Sequence, residues 1–412
     1  MGKKVAIIGG GAAGMMAAIQ AAREGALVTI YERNEKVGKK ILATGNGKCN
    51  FSNEKMGADA YYGSAVSLLP SLLAQFGVAE TKRFFEELGM RIKDRNGYLY
   101  PASEQAATVL DVLRFEVERL GICVCTDCLI TNITYHKKQN FTLQTEEKTV
   151  GVFDAVILCC GGKAAPKTGS DGTGFRLAKK LGHHIIKPVP ALMALHCKGD
   201  FWKGISGVRC DAGITLWIDG KKCGYDKGEL QLTDYGISGI PVFQISREAA
   251  YGLEHKKCTV VEIAFLPSAT DNEYELFWQQ RFKRQAEQNM ELFSTGIVNK
   301  KTAMMLLKMA GISPKETAAS VPGAKRRKLE ELYRSFPVEV VGTNSFEQAQ
   351  TCAGGIPAGE LSKDLESLLV PGLYFAGEII DIDGICGGYN LQWAWTSGTI
   401  AGRAAARGQR IP

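Results

Sequence analysis

The turn at residues 9–14 constrains the fold of this chain more than any other segment. It has the pattern G-x-G-x-x-G, follows the apolar run 5–8 and opens a helical pattern that ends at Gly25. A second apolar run, residues 28–31, is closed by Glu32. In a β–α–β unit of this form, the glycines permit a tight turn, a close approach of a pyrophosphate to the backbone, and helix–strand packing. The segment therefore predicts a dinucleotide site, with phosphates at the helix N-terminus and Glu32 on both ribose hydroxyls, where it would repel the 2′-phosphate of NADP.

The composition excludes several other classes of protein. The 412 residues are 45% hydrophobic and 23% charged, as in ordinary globular chains. No run approaches the roughly 18 apolar residues of a membrane span, and no signal-peptide pattern opens the chain. We therefore expect a cytoplasmic protein without a membrane partner. Its 12 cysteines do not suggest a disulfide framework, and we expect most of them to be reduced and buried. The net charge of +7 suits an anionic ligand without requiring nucleic acid.

The order of strand and helix patterns predicts an α/β fold with a discontinuous nucleotide-binding domain. Residues 1–190 alternate strand and helix patterns, and residues 346–412 return to strand, Gly-rich turn and helix, so these segments form the two parts of that domain. Between them, residues 191–270 predict a small antiparallel β unit and residues 271–334 a helical insert. Residues 335–345 then carry a return strand to this inserted cap.

A second glycine-rich constellation lies near the C-terminus. The strand pattern 373–376 ends in Gly377-Glu378, and a turn at 384–388 leads into a helix. The carboxylate can bind a ribityl hydroxyl, and N–H groups at Asn390 and Leu391 can stabilise negative charge on the N1–C2=O edge of a reduced flavin. The second half of a large cofactor would need these features.

At this point the chain resembles the two-dinucleotide-binding-domain flavoproteins and, within them, the YhiN/BaiN-type family. That family includes enzymes described as aminoacetone oxidases and as reductases of dehydro-bile acids. The resemblance covers essentially the whole chain. It is carried by the motifs at residues 38–50, 168–174, 232–241, 352–356 and 377–392.

The resemblance implies a Rossmann-type FAD-binding domain with an inserted small β-barrel-like domain, and it implies a set of cofactor contacts. The pyrophosphate would lie on the turn 9–14, the adenosine ribose on Glu32, adenine on the backbone of Ile130, and the ribityl chain and flavin on the C-terminal motif. The implied cofactor-binding residues are Gly9, Gly11, Ala12, Ala13, Gly14, Glu32, Arg33, Lys40, Thr44, Gly45, Asn46, Cys49, Asn50, Ile130, Gly161, Gly377, Glu378, Asp383, Gly388, Tyr389, Asn390 and Leu391.

The chain departs from the usual family pattern at three places. Lys48 stands where arginine is usual, Asp234-Tyr235 replaces a more common His-Thr pair, and residues 240–241 read Ile-Pro where proline often follows the glycine directly. The loop 233–241 belongs to the cap, so these departures bear on substrate preference.

No metal site and no redox dithiol are predicted. Cys49 lies near the expected flavin without a second cysteine at the spacing that a disulfide reductase needs, so we expect a contact residue. The pattern C-x-C-x-x-C at 123–128 has no obvious fourth zinc ligand nearby and fits strand alternation. We expect His183-His184 to be structural, and the basic cluster 325–328 to be a solvated helix face in preference to a tRNA contact.

The leading functional hypothesis is an FAD-dependent oxidoreductase that transfers hydride through flavin N5. We expect NAD(P)H-linked reduction of a conjugated carbonyl compound resembling a dehydro-bile acid, with NAD(P)H as a transient reductant. Oxidation of an aminoacetone-like amine, an RNA-binding flavoprotein and a plain NAD-linked dehydrogenase remain as alternatives. Tyr235 and Tyr389 are candidate proton donors by location only, so the catalytic residues and the oligomeric state stay open.

Overall fold

A five-stranded parallel sheet forms the centre of the first of two units. The structure is a computed structural model that describes residues 2–136, 140–267 and 270–407. The central strand Lys4–Ile8 pairs in parallel with Leu27–Tyr31 on one side and with Ala155–Leu158 on the other. Helices cover sheets of this kind on both faces, which explains their continuous apolar runs. The full strand order is Leu373–Phe375, Ala155–Leu158, Lys4–Ile8, Leu27–Tyr31 and Cys123–Cys125.

Two helices from opposite ends of the chain pack backbone to backbone. Ala12–Arg23 lies against Tyr389–Arg407, and a Cβ on Gly398 or Gly402 would lie 2.6 Å or 2.4 Å from a carbonyl oxygen of the first helix. Glycine is therefore required at both positions, and the close contact joins the two parts of the discontinuous unit. The other helices of this unit are Lys39–Ala43, Leu69–Gln75, Val78–Glu87, Ala106–Arg119 and Thr173–Lys180.

Smaller sheets complete this unit. One antiparallel sheet has the order Thr149–Phe153, Asn140–Gln144 and Asn132–His136, and a second has the order Ser52–Asn53, Tyr98–Pro101 and Ile92–Arg95. Two strand pairs are formed by Tyr61–Tyr62 with Asp383–Gly384, and by Ile186–Ala191 with Thr351–Gly355.

The second unit is a closed six-stranded barrel with a helical insert. Its strands follow the order Leu195–Cys197, Gly236–Ser238, Lys221–Leu232, Arg209–Ile218, Thr259–Ala264 and Phe336–Thr343, and the first and last strands pair to close it. Along Phe336–Thr343 buried and exposed residues alternate, as expected for a barrel wall. The helices are Trp202–Ile205, Ile240–Glu254, Asp271–Arg284, Met290–Ser294, Lys300–Ala310 and Gly323–Arg334.

The contacts divide the chain into two compact units. The first contains the residues up to Pro190 and those from Phe346 onward, and the second is Ala191–Ser345. The predicted α/β fold class, with an inserted antiparallel barrel and a helical insert, is confirmed. None of the described helices combines the length and the apolar character needed to cross a bilayer.

Candidate functional site

A cleft opens at the carboxyl ends of the parallel strands. Ile8, Tyr31 and Ala376, each at or just beyond the end of one strand, lie on its wall. Its empty space, which is continuous with solvent, is about 1230 Å³. Open α/β sheets bind their ligands at this edge. We refer to it as the strand-end cleft, and it is the candidate site of the first unit.

The G-x-G-x-x-G turn forms one wall of the strand-end cleft. Gly9 has a φ of +103°, and a Cβ there would lie 2.6 Å from the carbonyl oxygen of Cys159. A Cβ on Gly14 would lie 1.9 Å from the carbonyl oxygen of Gly9. Gly11, in contrast, faces open space, and the helix that begins at Ala12 has no side-chain cap. The N–H groups of this helix terminus are therefore available to a diphosphate.

Glu32 is buried at a corner of the strand-end cleft, with 7% of its surface exposed. Its Oε2 accepts a hydrogen bond from Gly10 N at 2.8 Å. Its Oε1 accepts two bonds from Asn34, from the backbone N at 2.8 Å and from Nδ2 at 2.7 Å. A carboxylate offers about four acceptor positions, so about one remains for a ligand hydroxyl. The sequence predicted contacts to both ribose hydroxyls, whereas here most of the acceptor capacity serves the chain itself.

An ion pair lies on the wall of the strand-end cleft. Lys40 Nζ lies 2.7 Å from Glu378 Oε2 and 3.3 Å from the carbonyl oxygen of Ala164. Glu378 Oε1 accepts bonds from Thr351 Oγ1 at 3.0 Å and from Cys352 N at 2.8 Å. The pair adds little net charge to the cleft, because the ammonium and carboxylate groups lie side by side, and the carboxylate is already largely engaged.

The structure brings most of the predicted cofactor residues together in this cleft. Those that line it are Gly9, Gly11, Ala12, Ala13, Glu32, Arg33, Lys40, Thr44, Ile130, Gly161, Gly377, Glu378, Asn390 and Leu391. The remaining predicted residues are outside its lining, and they are Gly14, Gly45, Asn46, Cys49, Asn50, Asp383, Gly388 and Tyr389. The assignment of both groups to the cofactor stays a prediction.

Asn50 carries a buried acceptor without a bond. Its Oδ1 has no hydrogen-bond partner among the described residues. Gly388, with a φ of +94°, packs beside it, because a Cβ there would lie 2.8 Å from this oxygen and 2.5 Å from the carbonyl oxygen of Ser52. A buried acceptor without a donor lowers stability unless a ligand supplies one. Asn50 lies outside the cleft lining, so the fit of the residues present to FAD rests on the open space at Gly11 and on the uncapped helix terminus beside it.

The hydroxyl groups of both candidate tyrosines make hydrogen bonds within their own units. Tyr389 is buried, its hydroxyl donates to the carbonyl oxygen of Lys55 at 3.1 Å, and burial raises the pKa of this phenol. Tyr235 belongs to the barrel unit, where its ring lies 4.5 Å from that of His196 and its hydroxyl accepts a bond from Asn344 Nδ2 at 3.4 Å. The catalytic acid therefore stays open.

The twelve cysteines are free thiols. Burial raises the pKa of the Cys49 thiol to about 12, which makes it a poor nucleophile. Cys123 and Cys125 have sulfur atoms 3.9 Å apart, as expected for alternate residues of one strand. Across the described residues, no group of potential ligands could hold a metal ion. The predicted strand alternation does not extend to Cys128, because the strand ends at Cys125 and Cys128 lines the strand-end cleft.

His183 makes the structural contacts expected of it. Its Nδ1 lies 2.6 Å from Glu360 Oε2, its Nε2 lies 2.8 Å from Ser367 Oγ, and burial lowers the pKa of the imidazole. Glu360 also meets His184, whose Nδ1 lies 2.5 Å from its Oε1.

The basic cluster 325–328 differs from a fully solvated helix face. Lys325 bonds the carbonyl oxygen of Gly311. The Arg326 guanidinium lies 4.7 Å from the Phe282 ring centroid and donates to three backbone carbonyls. Of the four residues, only the last two are exposed.

Sequence reasoning missed part of the cleft wall. The family resemblance includes the 168–174 motif but implied no role for it, although several of its residues line the cleft. Other positions depend on which loops meet at the strand ends, and no local pattern marks them. The unassigned lining residues include Asn34, Leu129, Cys160, Thr168, Gly169, Ser170, Thr173, Gln350, Thr351, Trp393 and Ala394.

Comparisons with known proteins agree with this arrangement. The family model described as HI0933-like protein Rossmann domain matches residues 3–404. A 3-dehydro-bile acid delta(4,6)-reductase from Clostridium scindens is 42% identical over 406 residues, which covers 98% of this chain and 99% of that protein. A ribosomal RNA dihydrouridine synthase from Haemophilus influenzae is 29% identical over 398 residues, which covers 95% of each.

A solved structure of a flavocytochrome c3 fumarate reductase in its open conformation is similar to this chain, with a TM-score of 0.51 and 15% identity. The match covers 98% of this chain and 78% of that one. At this level of identity the likeness shows a shared fold.

Proposed function

This chain belongs to the HI0933-like protein Rossmann domain family and is an FAD-dependent oxidoreductase, and we propose that it reduces a carbon–carbon double bond conjugated with a carbonyl group. The substrate would be a compound of the dehydro-bile-acid kind. The observation that carries the proposal is the 42% identity, over 98% of the chain, to a 3-dehydro-bile acid delta(4,6)-reductase. In such a compound the carbonyl group draws electrons from the double bond, which makes the far carbon an acceptor for hydride.

The strand-end cleft supplies the groups that would hold FAD. The turn around Gly11 would bind the diphosphate, and Glu32 would accept a bond from one ribose hydroxyl. The Asn390 side chain bonds both backbone groups of Gly384. The helix begins at Tyr389, so the N–H groups of Asn390 and Leu391 lie in its first turn and have no partner within the helix. These N–H groups would stabilise negative charge on the reduced cofactor. Bound FAD would supply the hydride through N5.

We further propose that NADH or NADPH docks transiently, without a nucleotide-binding fold of its own. The turn 169–174 has the order G-x-x-G-x-G. The strand pairs found within the barrel are antiparallel, and none forms part of a parallel β–α–β unit in the described residues. Because reductant and substrate would then use the same cofactor face in turn, ping-pong kinetics with parallel double-reciprocal lines are expected.

A uracil base in RNA is the second candidate substrate, and the 29% identity to a ribosomal RNA dihydrouridine synthase favours it. Making dihydrouridine also reduces a double bond conjugated with a carbonyl group, so the two candidates differ in recognition and not in chemistry. RNA binding needs exposed basic side chains on the surface. In the cluster 325–328, Lys325 and Arg326 are engaged by backbone carbonyls, which weakens this cluster as an RNA contact.

Half-reactions of the purified holoprotein test the proposal. The protein should be yellow, absorb near about 450 nm as oxidised flavins do, and release FAD rather than FMN. Without oxygen, NADH or NADPH should bleach this band, and a 3-oxo-4-ene bile acid should restore it and yield the saturated ketone.

Other results would refute the proposed substrate class. Bleaching by aminoacetone, followed by recovery of the band with oxygen alone, would identify an amine oxidase. Recovery with unmodified ribosomal RNA but not with the enone would identify an RNA reductase. A colourless protein with an intact fold would exclude a bound flavin.

A further inference from the structure

Ser170 carries a buried hydroxyl group without a partner. Its Oγ makes no hydrogen bond to any of the described residues. The residue is 5% exposed and lies in the wall of the strand-end cleft. A buried hydroxyl that makes no bond lowers the stability of a fold, so such groups in native proteins call for an explanation. A ligand in the cleft would provide the missing partner.

The turn that carries Ser170 is anchored on both sides. The carbonyl oxygen of Thr168 accepts a bond from Asn34 Nδ2 at 3.0 Å. Asp171 Oδ2 lies 2.5 Å from Arg33 Nη1. Both contacts are made with residues 33–34, which directly follow Glu32, the residue expected to bind the ribose. The position of the hydroxyl is therefore set by neighbouring contacts, while the hydroxyl itself is left free.

The loop against which Ser170 packs also contacts the G-x-G-x-x-G turn. A Cβ on Gly161 would lie 2.7 Å from Ser170 Oγ, so the hydroxyl packs against the loop that follows the strand Ala155–Leu158. The carbonyl oxygen of Cys159 in that same loop lies 2.6 Å from the Cβ position of Gly9. Ser170 and the G-x-G-x-x-G turn therefore pack against the same loop, and the uncapped helix terminus of that turn attracts negative charge.

The other polar groups of the cleft wall agree with a diphosphate. Lys40 contributes an ammonium group, which pairs with the Glu378 carboxylate at 2.7 Å. The carboxylates of Glu32 and Glu378 each accept three hydrogen bonds from the chain, so they add few free acceptors to the cleft. The N–H groups of the uncapped helix terminus and the Ser170 hydroxyl can donate, and a diphosphate is the part of a dinucleotide cofactor that accepts from several donors at once.

We propose that Ser170 donates a hydrogen bond to a diphosphate oxygen of FAD. The 168–174 turn then serves as a second phosphate-binding element beside the G-x-G-x-x-G turn. This inference rests on the FAD assignment made under the proposed function, and it does not depend on the identity of the substrate.

The test compares Ser170→Ala with Ser71→Ala, a control serine that is exposed on the helix Leu69–Gln75. FAD affinity is measured from the release of flavin fluorescence when the holoprotein is diluted. ADP and adenosine are then titrated separately into cofactor-free protein. Loss of a hydrogen bond to a charged group should weaken FAD and ADP by about ten- to a hundredfold in Ser170→Ala. Adenosine affinity should not change, because adenosine lacks the diphosphate.

A stability measurement distinguishes this role from a structural one. Removing an unsatisfied buried hydroxyl should leave the Tm of the cofactor-free protein unchanged or higher, while the increase in Tm on adding FAD becomes smaller. Equal losses for adenosine and ADP would overturn the assignment to the diphosphate. An FAD affinity within twofold of the Ser71→Ala control would overturn the inference altogether.

The experiments distinguish a failure of the Ser170 inference from a failure of the proposed reaction. A protein purified with FMN in place of FAD would overturn the cofactor assignment and this inference with it. A protein that holds FAD but reduces no enone would overturn the proposed substrate class alone, and the ADP and adenosine titrations would still decide the role of Ser170.

Discussion

Replacing Glu32 by glutamine keeps the size of a buried side chain and turns one acceptor into a donor. The amide oxygen must take the Oε1 position to receive the two bonds from Asn34. The new NH₂ group then replaces Oε2, which lies 2.8 Å from Gly10 N in the native protein, so two donors face each other. A buried donor without an acceptor costs about 1–3 kcal/mol. The two bonds that remain lose their charge assistance, about 1 kcal/mol each. The free energy of unfolding of the cofactor-free protein should therefore fall by about 3–5 kcal/mol.

The same substitution should weaken FAD binding by a smaller and separate amount. Three of about four acceptor positions on Glu32 are occupied by the chain, which leaves one for the ribose. One hydrogen bond to a charged group contributes about 1.5–3 kcal/mol, so the Kd for FAD should rise about ten- to a hundredfold.

Urea denaturation of the cofactor-free protein and fluorescence titration with FAD measure the two effects. Glu35→Gln is the matched control, since it makes the same chemical change at an exposed position in the same segment. If Glu32→Gln unfolds at the same urea concentration as this control, the hydrogen-bond argument is wrong. If it loses stability but binds FAD normally, Glu32 supports the turn without contacting the cofactor.

Two further predictions follow from the glycine environments and from the buried histidine. Gly11→Ala should fold normally and lose FAD, because its Cβ would enter open cleft space, whereas Gly14→Ala should fail to fold stably because its Cβ would lie 1.9 Å from the Gly9 oxygen. Circular dichroism and bound-flavin absorbance separate these outcomes, and two equally stable variants would contradict the prediction. Burial lowers the pKa of His183 below its usual 6.5, so the stability from its neutral form is present above that pH and is lost as the pH falls through the folded pKa. The native protein should lose stability between about pH 7.5 and about pH 5.5, and His183→Gln should reduce this loss by up to about 1.4 kcal/mol per pH unit. Urea denaturation measures the stability at each pH, and the same pH dependence in the native protein and the variant would refute the prediction.

Local patterns in the sequence were sufficient to predict the first strand–turn–helix and the inserted barrel. The spacing of Gly9, Gly11 and Gly14 between two apolar runs predicted a strand–turn–helix. Gly14 answers a contact within the turn and Gly9 a contact with the adjacent strand, whereas Gly11 faces open space. The change from mixed strand–helix patterns to short antiparallel strands and back predicted the inserted barrel, since the period of apolar residues differs between these structures. Both features depend on neighbours in sequence or on periodicity, which a single chain displays directly.

The chemistry of the cleft was decided by tertiary structure. Lys40 meets Glu378 across 338 positions of the chain, and Tyr389 turns its hydroxyl to the carbonyl oxygen of Lys55 instead of the cleft. The sequence placed Glu32 at the site, but only the folded loops show that Gly10 and Asn34 take most of its acceptor capacity. The unbonded hydroxyl of Ser170 is likewise invisible in the sequence. Whether a polar group is already satisfied depends on partners brought close by strand order and loop packing, and residue type and spacing do not encode those partners.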